Sequence, residues 1–115
     1  MKDLEKTFIL NTIFHWLREE DCIVFLFGSR AKKVALKSSD IDIGIFAHRE
    51  IPAAAFVEIE EILNQETPML KKIDLVDFSS VDQKVKKEAL KEIEIWHVGK
   101  NCSDLLKTLK QASKN

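Results

Sequence analysis

Residues 22–47 read CIVFLFGSRAKKVALKSSDIDIGIFA, and this stretch decides the fold. Its first six residues are an unbroken apolar run of β-branched and aromatic side chains that stops at Gly28-Ser29, the pattern of a buried strand. Its last eight alternate: Ile41, Ile43 and Ile45 fall on one face of a strand, and Asp40, Asp42 and Gly44 on the other. Between the two, RAKKVALK is basic and predicts a short helix with its connection.

Upstream, Leu4, Phe8, Ile9, Ile13, Trp16 and Leu17 recur at helical spacing and predict an amphipathic helix over 4–20. Downstream, Pro52 precedes AAAFVEIEEILNQ, where Phe56, Ile59 and Leu63 share a helical stripe that closes before Thr67-Pro68. KIDLVDF (72–78) reads as a third strand. Ser80 followed three residues later by Gln83 resembles a capping box, opening a helix with Val81, Val85, Ala89 and Ile93 on one face. Glu94 to Val98 reads as a short edge strand. Gly99 then breaks the chain before SDLLKTLKQASK, a basic helix whose Leu105, Leu106 and Leu109 either dock on the sheet or form a stripe for another protein. The order α-β-α-β-α-β-α predicts an α/β sheet covered by helices, divided as a domain at 1–99 and a C-terminal helix and tail at 100–115.

Bulk properties narrow the function. The 115 residues fit one layered core, and 45% hydrophobic with 32% charged residues argues against disorder. With 18 basic and 19 acidic side chains, the chain lacks the excess positive charge of a protein held to nucleic acid by phosphates alone, although a local patch stays open. Cys22 and Cys102 lie far apart and no pair has metal-ligand spacing, so both are expected as reduced thiols. The charged N-terminus has neither a signal-peptide core nor a spanning segment, and cytoplasm is the default expectation.

The chemistry concentrates in Gly28-Ser29, Asp40-Ile41-Asp42 and Asp74. Asp40 and Asp42 are two apart on a strand, so their carboxylates share a face and repel unless a cation sits between them. Mg²⁺, which takes oxygen ligands and shares its shell with phosphates, is the expected cation. By parity Asp74 and Val76 share a face, and a strand neighbouring 40–47 would bring Asp74 to the same cluster. Three carboxylates with a triphosphate can hold two metals roughly 3.5–4 Å apart, which clamps the attacking and leaving oxygens of phosphoryl transfer. Gly28 would let backbone N–H groups approach a phosphate, with Ser29 adding a hydroxyl. Arg30 is placed either on phosphate or on an acidic partner. Lys32, Lys33 and Lys37 form a basic cluster read mainly as a solvated connection. Asp77 faces away from the cluster and is expected to cap or to sit at the surface. The aromatics Phe8, Phe14, Trp16, Phe25 and Phe27 are expected in the core.

On GSRAKKVALKSSDIDIGIF followed by KIDLVDF, the chain resembles the minimal nucleotidyltransferase (MNT) family of the DNA polymerase β-like nucleotidyltransferase superfamily, over about residues 8–98. It departs at Lys33, where many relatives carry a small residue. The resemblance implies a small mixed sheet with flanking helices, Mg²⁺-ATP as substrate and pyrophosphate as product. Carried over, Gly28 and Ser29 would hold the triphosphate, Asp40 and Asp42 would ligate both metals, and Asp74 would ligate the catalytic metal and help deprotonate the acceptor. The partner implied is a HEPN-domain toxin, modified by AMP on a tyrosine hydroxyl, in a hetero-oligomer. A binding module that inhibits its partner by occlusion is the alternative. Transfer to a small molecule such as an aminoglycoside fits less well, because the chain has no room for the additional helical domain of such relatives.

Overall fold

The structure, a computed structural model, describes residues 3–31, 40–65, 72–80 and 83–114. The elements in chain order are α1 (Asp3–Trp16), a 3₁₀ turn (Glu19–Asp21), β1 (Cys22–Phe27), α2 (Gly28–Ala31), β2 (Ile41–Ala47), α3 (Ala53–Gln65), β3 (Ile73–Asp77), α4 (Gln83–Ala89), β4 (Glu94–Val98) and α5 (Ser103–Lys114). The four strands form one sheet in the order β3-β2-β1-β4. β1 runs antiparallel to both β2 and β4, with a register shift at Val24/Phe25 against β4. β2 and β3 are parallel, and α3 supplies the crossover that parallel neighbours require. This is the mixed sheet with flanking helices expected of the polymerase β-like nucleotidyltransferase fold.

The period of two assigns each strand residue to one of two cores. Cys22, Val24 and Leu26 join Ile41, Ile43, Ile45, Ile73 and Leu75 on the face covered by Ile9 and Ile13 of α1 and Ile59 and Leu63 of α3. Ile23, Phe25 and Phe46 build the other core with Phe78, Leu90, Cys102 and Leu109. Here Gly44 makes room: a Cβ on it would meet the Phe25 ring, and the Phe78 ring at 3.0 Å. Phe25 and Phe78 then pack edge to face with centroids 4.9 Å apart. Leu109 is fully buried and Leu105 and Leu106 pack partly against this cluster, so the tail leucines dock on the sheet.

Several elements differ from the sequence reading. α1 ends at Trp16 rather than near residue 20, because Arg18 adopts an extended conformation (φ −76°, ψ 122°) that turns the chain into β1. Leu4 is 74% exposed: at about 100° per residue it points about 140° away from Ile9. Trp16, expected in the core, is 41% exposed at the helix end, where its ring meets His15 edge-on. α4 stops at Ala89, which leaves Ile93 outside the helix. The stretch 32–37 of the short basic helix, with Lys32, Lys33 and Lys37, lies outside the described residues, as do Val81 and the Gln83 side chain of the proposed capping box. Both cysteines are free and buried, and burial pushes the Cys22 thiol up to about 12.

The sequence reading missed the pin that joins the two ends of the chain. Asp21 is buried, its Oδ1 accepts a 2.8 Å hydrogen bond from Asn101 Nδ2, and its carbonyl accepts from the His48 N–H at 2.7 Å. Gly99 is pressed against the Glu19 and Glu20 carbonyls, where a Cβ would collide, and Asn101 N–H donates to Glu20 at 2.9 Å. The Asn101 hydrogen bond, helped by Arg18, Arg49 and His48, holds the Asp21 carboxyl below its ordinary value. A carboxylate with a lowered folded-state pKa contributes stability above its unfolded value of 3.8 and loses it as pH falls through the lowered one. Asp21→Asn is therefore expected to flatten the acid limb of the stability curve, read as melting temperature between neutral pH and pH about 3. An acid limb as steep as that of the wild type would exclude this role.

Candidate functional site

The candidate site lies where the second core runs out. Phe27 pairs with Asp42 across β1 and β2, and Asp42 pairs with Asp74 across β2 and β3. By parity these three side chains share a face, and the next row inward is Phe25, Gly44 and Val76. Asp42 thus stands at the edge of an apolar floor with Asp74 as its lateral neighbour. Asp40 is exposed, just before β2 begins.

Electrostatics follow from that placement. Burial, then Asp74, then Asp40 push the Asp42 carboxyl above its ordinary value. All three carboxylates therefore act in one local field. The side chain of Asp74 is 40% exposed, and Lys72 Nζ lies 3.4 Å from its Oδ1. Among the described residues, no three His, Cys, Asp or Glu side chains stand together closely enough to hold an ion.

Gly28 touches this cluster directly. It has φ +74°, a conformation that L side chains avoid, and a Cβ on it would fall on Asp42 Oδ2. The glycine expected for backbone approach to a phosphate is therefore also required by the Asp42 carboxylate. Ser29 and Arg30 follow on the α2 turn, half-buried in the case of Arg30, while the Ser29 hydroxyl lies outside what the structure describes. Asp77 closes the turn after β3 rather than capping α4, which begins at Gln83: its Oδ1 accepts from the Ser79 N–H at 3.0 Å and its Oδ2 from the Ser80 hydroxyl at 3.3 Å.

Sequence reading did not find Asn64 or Lys72, which flank Asp74. An open cleft of about 320 Å³ runs beside Asp74, bounded by Glu60, Glu61, Asn64, Gln65 and Lys72. A second cleft, of about 220 Å³, lies at the opposite end of β1 and β2 between Trp16, Arg18, Arg49 and Pro52, away from the three carboxylates. No described helix is long and apolar enough to cross a membrane.

A mixed sheet with a glycine turn at the end of β1, an Asp-x-Asp leading into β2 and an aspartate in register on β3 is the architecture of a nucleotidyltransferase. The polymerase beta nucleotidyltransferase family profile matches residues 11–97, and the chain belongs to that family. It is similar to a chain of the complex between a tri-AMPylated Shewanella oneidensis HEPN toxin and an MNT antitoxin, at 23% identity and TM-score 0.69, over 99% of this chain and 86% of that one. It is also similar to a chain of a toxin–antitoxin structure with AMP-PNP, at 26% identity and TM-score 0.63, over 90% and 84%. A chain of the MntA–HepT toxin–antitoxin gives 19% identity and TM-score 0.66, over 98% and 88%. No curated protein sequence matches the chain significantly.

Proposed function

We propose that this chain is an adenylyltransferase that moves AMP from Mg²⁺-ATP to a hydroxyl on a HEPN-domain toxin, as the antitoxin of the pair in the cytoplasm. The observation that carries this reading is the contact of Gly28 with Asp42, in register with Asp74 at the open end of the sheet. The AMP-PNP and tri-AMPylated toxin in similar solved structures support the nucleotide and the acceptor class. Residues 1–99 are assigned as the transferase domain, with 100–115 as a C-terminal helix and tail whose Leu109 seals its second core.

The donor set suits Mg²⁺: hard carboxylate oxygens in a common field, one of them with a raised pKa that a cation would reverse. Asp40 and Asp42 would hold both ions, and Asp74 the one nearer the acceptor. Bound there, the ions would supply Lewis-acid compensation for charge on the phosphate oxygens. Gly28, with Ser29 and Arg30 beside it, orients the triphosphate. The acceptor oxygen bonds to the α-phosphorus as the bond from that phosphorus to the α–β bridging oxygen breaks. Pyrophosphate leaves with that oxygen, and the acceptor proton passes to Asp74 and on to solvent. The cleft between Glu60, Lys72 and Asp74 gives the acceptor its approach.

The chain contains no tyrosine, so it offers itself only aliphatic hydroxyls as acceptors. A phenol, with pKa about 10, ionises far more readily than an alcohol. Incubation with labelled ATP and Mg²⁺ is therefore expected to leave this chain unlabelled alone and to label a HEPN partner when one is added. Label on this chain with none on the partner would refute transfer in trans. An unlabelled partner that is nonetheless inhibited would identify occlusion instead.

A further inference from the structure

β3 is an edge strand, and its open edge is closed at one residue by a side chain. The Ile41 N–H donates to the Lys72 carbonyl at 2.9 Å, so the Lys72 carbonyl points toward β2 and, by alternation, the amide groups of Ile73 point away from it. Those two groups would stand unpaired. Asn64, from the last turn of α3, fills both positions: its Oδ1 accepts from the Ile73 N–H at 2.8 Å and its Nδ2 donates to the Ile73 carbonyl at 3.0 Å. The second Nδ2 hydrogen serves the Glu60 carbonyl at 2.9 Å, inside its own helix. Both donors of the carboxamide are thus used, and a flipped amide would set its oxygen against two carbonyls. The orientation is fixed.

The residue so clamped directly precedes Asp74. We infer that Asn64 is a positioning residue for Asp74, acting as a one-residue extension of the sheet that sets the position of this carboxylate opposite Asp42. The inference rests on the proposed nucleotidyl-transfer reading. The geometry needs such a clamp: among the described residues Asp74 has a strand, β2, on one side only, Lys72 draws its carboxylate at 3.4 Å, and repulsion from Asp42 pushes it away. An edge backbone held by one ladder alone would yield to those forces, and displacements near 1 Å cost about a hundredfold in positioned chemistry.

The test is a titration of Mn²⁺ into the ATP-bound full chain, followed by electron paramagnetic resonance of free Mn²⁺, which needs no acceptor. Wild type is expected to bind two ions and Asp74→Asn one. Asn64→Leu should keep the first and weaken the second by roughly 10–100-fold, the usual loss on removing a group that orients a metal ligand. Asn64→Gln, which carries the same carboxamide, should recover most of that affinity. Should Asn64→Leu fail to fold, Asn64→Ser takes its place with the same expectation. A purely structural Asn64 would lower the melting temperature and leave the second affinity of the folded protein unchanged, which would overturn the inference. A wild type without a second Mn²⁺ would instead overturn the two-metal reading on which it rests.

Discussion

Asp42→Asn is expected to abolish AMP transfer, by about 10³-fold or more, while raising the melting temperature of the ligand-free protein. The two effects have one cause. Asp42 is half-buried against Phe27 and faces Asp74 and Asp40, so its folded-state pKa is raised. A carboxyl raised in the folded state contributes stability below its unfolded value of 3.8 and loses it as pH climbs through the raised one. At neutral pH the ionised group therefore works against the fold, and asparagine, nearly the same shape without the charge, relieves that burden. The same charge is what a metal–triphosphate needs. In wild type, Mg²⁺-ATP at a hundredfold excess over Kd should stabilise by about 2.7 kcal/mol, because it binds only the folded state. In Asp42→Asn that shift should vanish. Melting curves of both proteins with and without Mg²⁺-ATP check this: equal ligand shifts would remove Asp42 from the site, and an unchanged ligand-free melting temperature would remove the repulsion.

The sequence made the strands legible because their signal is local. CIVFLF and DIDIGIFA carry period and polarity within a few residues, and β1 and β2 form there. α3 and α5 occupy the stretches that their stripes and stops delimit, 53–65 and 103–114. Parity alone set Asp42 and Asp74 on one face once the strands were neighbours. What stayed hidden depends on partners distant in the chain. Nothing near Asp21 announces Asn101, 80 residues on, and Asn64 looks like any polar residue on an exposed helical turn until Ile73 is seen beside it. Leu4 and Ile9 are equally apolar on paper, and only the placement of α1 on the sheet separates the exposed from the buried one. Gly28 was legible as a turn, but not as the neighbour of Asp42.

That last contact sets the second large effect. Gly28→Ala is expected to lower the melting temperature by roughly 5–15 °C and to remove most transfer activity. Two physical costs act at this position. The φ of +74° imposes on alanine the left-handed penalty of about 1–2 kcal/mol. The new Cβ also falls on Asp42 Oδ2 and within 3.0 Å of its Cγ, so the carboxylate must swing away. It has little room to do so, with Phe27 on one side and Asp74 on the other. A double-mutant cycle separates the two costs. In an Asp42→Ala background the colliding carboxylate is gone, and Gly28→Ala should then cost only the backbone penalty. The difference, expected within the 0.5–3 kcal/mol typical of residues in direct contact, measures the collision itself. Additive effects would mean that Gly28 serves its own backbone alone. A coupled pair would tie the turn proposed to receive the triphosphate to the carboxylate proposed to receive the metal, so that neither can move without displacing the other.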